Sequence, residues 1–316
     1  MTDRSQQRLA SPDRPVQQCR EILARQLSWA TEELAGDKPN IHGARKQLKR
    51  ARATLRLLRP AIGDELYRRE NVAARDAARP LSRARDEEVL SDSLDSLLER
   101  FGPTAAGLQV APLRQGLQKG RRQPVHALPA KQLNLIKGAL KRSMNRALAW
   151  ELDAEGWDCA ATGLQATYRR ARRALRNARV ERATEDLHEW RKQTKYMWHQ
   201  LQIVAPLAAG PVGELADEFH HLADYLGDEH DLAVLRDRLA KPGSGLSETA
   251  ASALKVLIDR RREELQDKAF ALGERLYADK PKTFVHGLGK HWQSWERRHA
   301  HTASKHSAAH SSELRR

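Results

Sequence analysis

His42, Arg45, Lys46 and Lys49 form an H-x-x-R-K-x-x-K pattern, and His188, Arg191, Lys192 and Lys195 repeat it 146 positions later. Residues of these types at this spacing are suited to holding anionic oxygens. Lys supplies a compact charge, Arg a planar fork that takes two oxygens, and His a ring whose charge changes near neutral pH. An R/H-D-x-x-V-L element follows each copy: Arg85, Asp86, Val89 and Leu90, then His230, Asp231, Val234 and Leu235, a shift of 145. Two elements that keep nearly one offset predict a duplicated unit of about 145 residues, a length at which each half can hold its own core.

A helix must position the four residues, because successive side chains turn by about 100° around a helix axis. With His42 as the origin, Arg45, Lys46, Lys49 and Arg56 lie within about 60° of it, and Arg52 about 80° away. Ala44, Leu48, Ala51, Leu55, Leu58 and Ile62 fall on the opposite side, giving an apolar stripe for packing. In the second copy Trp190, Met197, Leu201 and Val204 replace Ala44, Ala51, Leu55 and Leu58, and His188, Arg191, Lys192, Lys195 and His199 form the cationic stripe. A charged stripe on an amphipathic helix can be only its solvated face, but solvated faces mix signs because like charges one turn apart destabilise a helix. From His42 to Arg59 there are seven Lys or Arg and no Asp or Glu, so this stripe calls for a polyanion.

Composition agrees without choosing the polyanion. The 316 residues carry 56 Lys and Arg against 41 Asp and Glu, a formal charge of +15, which suits nucleic acid, an acidic membrane surface or a phosphate polymer. Aromatic residues make up 5% and the Trp residues stand mainly at packing spacings, which counts against single-stranded RNA stacked on aromatic platforms. Two cysteines, Cys19 and Cys159, make neither a disulfide framework nor a zinc set, so a reducing cytoplasm is the expected setting. No apolar run of about 18 residues is present, and the chain reads as soluble.

The sequence reads as all-α throughout, since Ala, Leu, Arg and Glu dominate, apolar residues recur at three and four, and alternating β-branched runs are missing. Gly and Pro clusters divide it into helices expected at 15–35, 40–60, 64–79, 80–101, 112–121, 130–154, 160–179, 184–205, 212–227, 229–240, 246–278 and 281–298. The expected organisation is a flexible N-terminus over 1–14, two similar halves over 15–155 and 156–298, and a flexible His-containing tail over 299–316.

The stretch from His42 to Leu58, its partner from His188 to Trp198 and the Leu226-Gly-Asp-Glu-His-Asp-Leu-Ala-Val-Leu235 element together resemble the CHAD family, the conserved histidine α-helical domain, over about residues 15 to 300. The resemblance implies two four-helix bundles related by a pseudo-twofold axis and binding of inorganic polyphosphate on a basic surface and central groove. Many relatives carry a fused CYTH triphosphatase; with no E-x-E-x-K motif here, a stand-alone, non-catalytic binding module is implied. Carried over by position, the basic constellation falls on His42, Arg45, Lys46, Lys49 and Arg52, on His188, Arg191, Lys192 and Lys195, and on Arg169, Arg170, Arg172 and Arg173 of the basic segment after Tyr168. Ser82-Arg-Ala-Arg-Asp86 replaces the usual Leu-Gly lead-in, so the halves are expected to contribute unequally.

His42 and His188 stay open between phosphate contact and hydrogen bonding to an adjacent helix. Asp86 and Asp231 suit a polyanion poorly as ligands, so they are expected to orient neighbouring Arg or His side chains, or to cap helices. No phosphate loop of the G-x-x-x-x-G-K-[ST] type exists, and Gly287-Leu-Gly-Lys290 lacks its spacing. His220, His221, Asp224, Asp228, His230 and Asp231 are dense enough for a divalent-metal phosphohydrolase, but their spacing fits no standard ligand set. The reading is therefore polyphosphate binding with no catalytic residue, cofactor or metal, in the cytoplasm or at polyphosphate granules. Sequence-nonspecific nucleic-acid binding is the runner-up and metal-dependent polyphosphate hydrolysis the third.

Overall fold

The computed structural model describes residues 8–82, 86–105, 107–122, 128–152, 156–205, 210–240 and 245–313. Among them are ten α-helices and one short 3-10 turn, Pro80–Ser82, with no strand, so the chain is all-α. The helices are α1 (Pro15–Glu33), α2 (Ile41–Ala78), α3 (Asp86–Ala105), α4 (Ala111–Arg122), α5 (Ala130–Leu148), α6 (Trp157–Glu181), α7 (Thr184–Val204), α8 (Pro211–Ala240), α9 (Glu248–Leu276) and α10 (Pro281–Glu313). Local chemistry sets their starts. Pro15 opens α1, where a missing N–H costs nothing, and the Asn40 side chain caps α2 by accepting from the Gly43 N–H at 2.9 Å.

α2 contains a sharp reversal. Gly63 has φ 74°, a left-handed conformation that glycine adopts without strain, and Pro60 just before it removes a helical hydrogen bond. A straight helix would separate positions 52 and 71 by about 28 Å, yet Arg52 Nε donates to Asn71 Oδ1 at 3.0 Å. The legs 41–62 and 64–78 therefore fold back on each other, matching the two helices expected there. In the second half the expected break at 228 does not occur. α8 runs through Gly227, because the roughly 1 kcal/mol propensity cost of an interior glycine is offset by burying Leu222, Leu226, Leu232 and Leu235. α10 likewise continues to Glu313, past the expected end at 298, with no Gly or Pro after Gly289 to stop it. The expected flexible tail is thus helical in its backbone through Glu313. Residues 1–7 and 314–316 lie outside the described residues.

The core does not divide at Gly156. The larger core joins both expected halves, gathering Leu23, Leu48 and Leu55 with Leu164, Tyr168, Trp190, Met197 and Phe219. A second core packs Leu94, Leu97, Leu113 and Leu117 of α3 and α4 against Leu235, Leu239, Leu254 and Ile258 of α8 and α9. The halves interlock because α3 and α4 each present one apolar stripe that needs a facing layer. The 30-residue α8 and 29-residue α9 reach through both cores. Around the larger core α1 packs on α2 and α5, α6 on α7 and α10, and α2 crosses both α6 and α7. At the α2–α6 crossing a Cβ on Gly163 would lie 2.4 Å from the Leu57 carbonyl oxygen, so glycine alone permits that approach.

A buried ion pair fixes the helices that carry the site. Glu229, 1% exposed, accepts from Arg262 at 2.7 and 3.0 Å and from Gln266 at 3.1 Å, and Arg262 also donates to Thr184 Oγ1 at 3.3 Å. The network clamps α7, α8 and α9 together.

Candidate functional site

The first leg of α2 and α7 pack against each other, with Gln200 Nε2 of α7 donating to the Ala53 carbonyl at 3.1 Å. Each helix turns its apolar stripe into the larger core, so their cationic stripes emerge side by side at its edge. There a cleft of about 510 Å³ opens. One wall carries His42, Arg45, Lys46 and Lys49 from α2 with Arg191, Lys195 and His199 from α7. The other wall is α8, with His220, Asp224, Asp228, His230 and Asp231, and Trp198, Gly227, Val89, Leu90 and Val234 complete the lining. His42, Lys46 and Lys49 are exposed, whereas His199 is buried.

Burial first, and then the neighbouring cations, hold the imidazoles around the cleft neutral. Burial, then the Arg50 charge, pushes His199 down to about 3, with Lys195 and Lys49 acting in the same direction. His230 is pushed down to about 4 by burial and Arg191. His188 is lowered by desolvation, then by Arg191 and Lys192; its ring packs against that of His230 at 4.7 Å between centroids. Lys49 contributes to all three shifts, so the first motif copy acts on histidines of the second half. On the opposite wall Asp228 is raised by burial, then by Asp224 and Asp231. Trp198 stacks on His220 at 4.0 Å and on His199 at 4.4 Å.

Several expected site residues lie elsewhere. Arg52 and Arg56 both donate to Asn71 Oδ1, at 3.0 and 3.2 Å, and the Arg56 guanidinium sits 3.8 Å from the centroid of the Tyr196 ring. The second leg of α2 thus covers the continuation of the cationic stripe, because the chain reverses at Gly63. Arg172 donates to the Tyr277 carbonyl at 2.9 Å, closing the end of α9. Arg169, Arg170 and Arg173 are exposed on α6 and do not line the cleft. Lys192 pairs with Glu189 and His188 packs on His230, so neither lines it either. Asp231 does line the cleft, while the side chain of Asp86, at the start of α3, lies outside the described residues.

A family model, the CHAD domain, matches residues 17–240. The chain belongs to the CHAD family. The CHAD match contains every cleft residue and ends with α8, although α9, beyond it, supplies Arg262 and the Leu254, Leu257, Ile258 and Leu265 side chains of the second core. No curated protein matches the chain. Among the described residues no helix is long and apolar enough to cross a membrane. Nor does any group of three or more His, Cys, Asp or Glu side chains among them have the arrangement of a metal ligand set. Of the α8 residues weighed for a metallohydrolase, His220, Asp224, Asp228, His230 and Asp231 extend along one wall of this cleft, and His221 does not line it. The contribution of Trp198 is not evident in the sequence, where the Trp residues read mainly as packing residues; its place about one turn after Lys195, at the position matching Arg52 of the first copy, was the available signal.

Proposed function

We propose that the chain binds inorganic polyphosphate, without catalysis, on the cationic wall of the cleft. The observation that carries this reading is the convergence of both H-x-x-R-K-x-x-K copies on one cavity, through His42, Arg45, Lys46, Lys49, Arg191 and Lys195. Membership of the CHAD family, which is associated with polyphosphate in general, supports it. A flexible chain of phosphates needs several cations in a row and no base-reading groups, and that is what this wall supplies. The volume of about 510 Å³ belongs to the range of clefts that take small or thin ligands, which favours a phosphate chain over duplex nucleic acid. Polyphosphate granules in the cytoplasm are the cellular setting this binding suits.

Competition tests the reading. Long-chain polyphosphate should displace a labelled polyphosphate probe better than duplex DNA at equal charge concentration and fixed salt. The advantage should vanish in Lys46→Glu/Lys49→Glu while the helical circular dichroism stays intact. Equal competition by both polymers in the wild type would reduce the interaction to net charge. Phosphate release with Mg²⁺ or Mn²⁺ would establish hydrolysis instead.

A further inference from the structure

A polyphosphate chain is anionic on every side, yet only one wall of the cleft is cationic. The facing side, on α8, presents Asp224, Asp228 and Asp231 together with His220, whose ring stacks on Trp198 of α7. Bare polyphosphate satisfies the first wall and is repelled by the second. The cleft as a whole is complementary to a molecule anionic at one end and aromatic, with hydrogen-bond donors, at the other. We propose that it also binds nucleoside oligophosphates, with phosphates on the α2 and α7 cations and the base on the α8 wall; this rests on the cationic wall being a phosphate site.

Three features of the α8 wall fit a nucleobase. His220 is the accessible member of the aromatic stack, its side chain 42% exposed, with an interplanar angle of 21° to Trp198, so it offers a base a flat surface. Carboxylates accept from the exocyclic amino groups of bases, and Asp228 stands on the cleft side of α8, a turn beyond Asp224. Burial and the neighbouring Asp224 and Asp231 make the Asp228 charge costly, a cost that an N–H donor relieves. The roughly 510 Å³ is also in the range of nucleotide-sized ligand sites.

Titration calorimetry with ATP and with tripolyphosphate, at one pH and ionic strength, tests the proposal. Charge alone favours tripolyphosphate, which lacks the neutral base and sugar; the two-walled cleft predicts that ATP binds several-fold more tightly. Asp228→Ala and His220→Ala should each lower ATP affinity, and Asp228→Ala should at the same time raise tripolyphosphate affinity by removing a repulsive charge. A fold defect would move both ligands the same way. Tripolyphosphate binding as tightly as ATP to the wild type, or Asp228→Ala shifting both affinities alike, overturns the proposal. If neither ligand binds and long-chain polyphosphate does, the nucleotide proposal falls and the polyphosphate reading stands. If ATP binds but no polyphosphate of any length does, the polyphosphate reading is what fails.

Discussion

At the scale of the residue, the two motif copies are not used alike. Lys49 and Lys195 line the cleft, whereas Lys192 is held by Glu189 outside it. Replacing Lys49 and Lys195 together by Glu should weaken polyphosphate binding about tenfold or more, since a charge-assisted contact contributes roughly 1.5–3 kcal/mol. Lys192→Glu should cost far less, and fluorescence anisotropy with labelled polyphosphate separates the two outcomes. His199 makes a second prediction. Its folded-state value of about 3 lies below the ordinary 6.5, so the folded protein holds the ring neutral while the unfolded chain protonates it. The stability this gives is fully present above about pH 6.5 and is lost as pH falls toward 3, on the order of a few kcal/mol in all. Thermal melts of His199→Gln should show a shallower loss between pH 6 and 4 than the wild type, inside the window between 6.5 and about 3 set by that shift; parallel curves would refute the assignment. Which lysine reaches the cleft could not be read from the motif, because Lys46, Lys49, Lys192 and Lys195 have the same spacing in both copies and only the neighbours differ.

At the scale of the element, the cleft depends on how closely helices approach. Gly163 lets α6 meet α2 at Leu57, and a methyl group there would press on a carbonyl oxygen 2.4 Å away that belongs to the backbone and cannot rotate aside. Gly163→Ala should therefore destabilise the fold by about 1–3 kcal/mol, as overpacking does, and lower the melting temperature; an unchanged melt would mean that the crossing relaxes freely. The amphipathic pattern made α2 and α7 legible as helices with a core side and a cationic side. It did not show that the chain reverses at Gly63 and lays Asn71 over Arg52 and Arg56, since a stripe read along one helix assumes that nothing folds back onto it.

At the scale of the whole molecule, the two cores determine what can fold alone. α3 and α4 bury their apolar residues against α8 and α9 from the other half of the chain, so a fragment covering 15–155 leaves that stripe exposed. The fragments 15–155 and 156–298, expressed separately, should melt without a sharp cooperative transition and regain one on mixing, as followed by calorimetry. Two independent, cooperative fragments would show the halves to be self-sufficient after all. Because the cleft is built between α2, α7 and α8, neither fragment alone should bind polyphosphate with the affinity of the full chain.

The sequence by itself determined the helical class, the apolar and cationic sides of α2 and α7, and the demand for a polyanion. All of these follow from periodicity and charge along a single helix, where neighbours are fixed by the 3.6-residue turn. It also contained the His and Asp residues of α8, but as a dense run without a geometry. Only the tertiary structure decided that these face the motif cations across one cleft, and that Trp198 joins them. It likewise decided that Arg52, Arg56 and Arg172 are turned to side-chain and backbone partners within the fold. Such pairings join residues far apart in the chain, and they are set by which apolar stripes find one another in the cores, a choice that spacing along one helix does not encode.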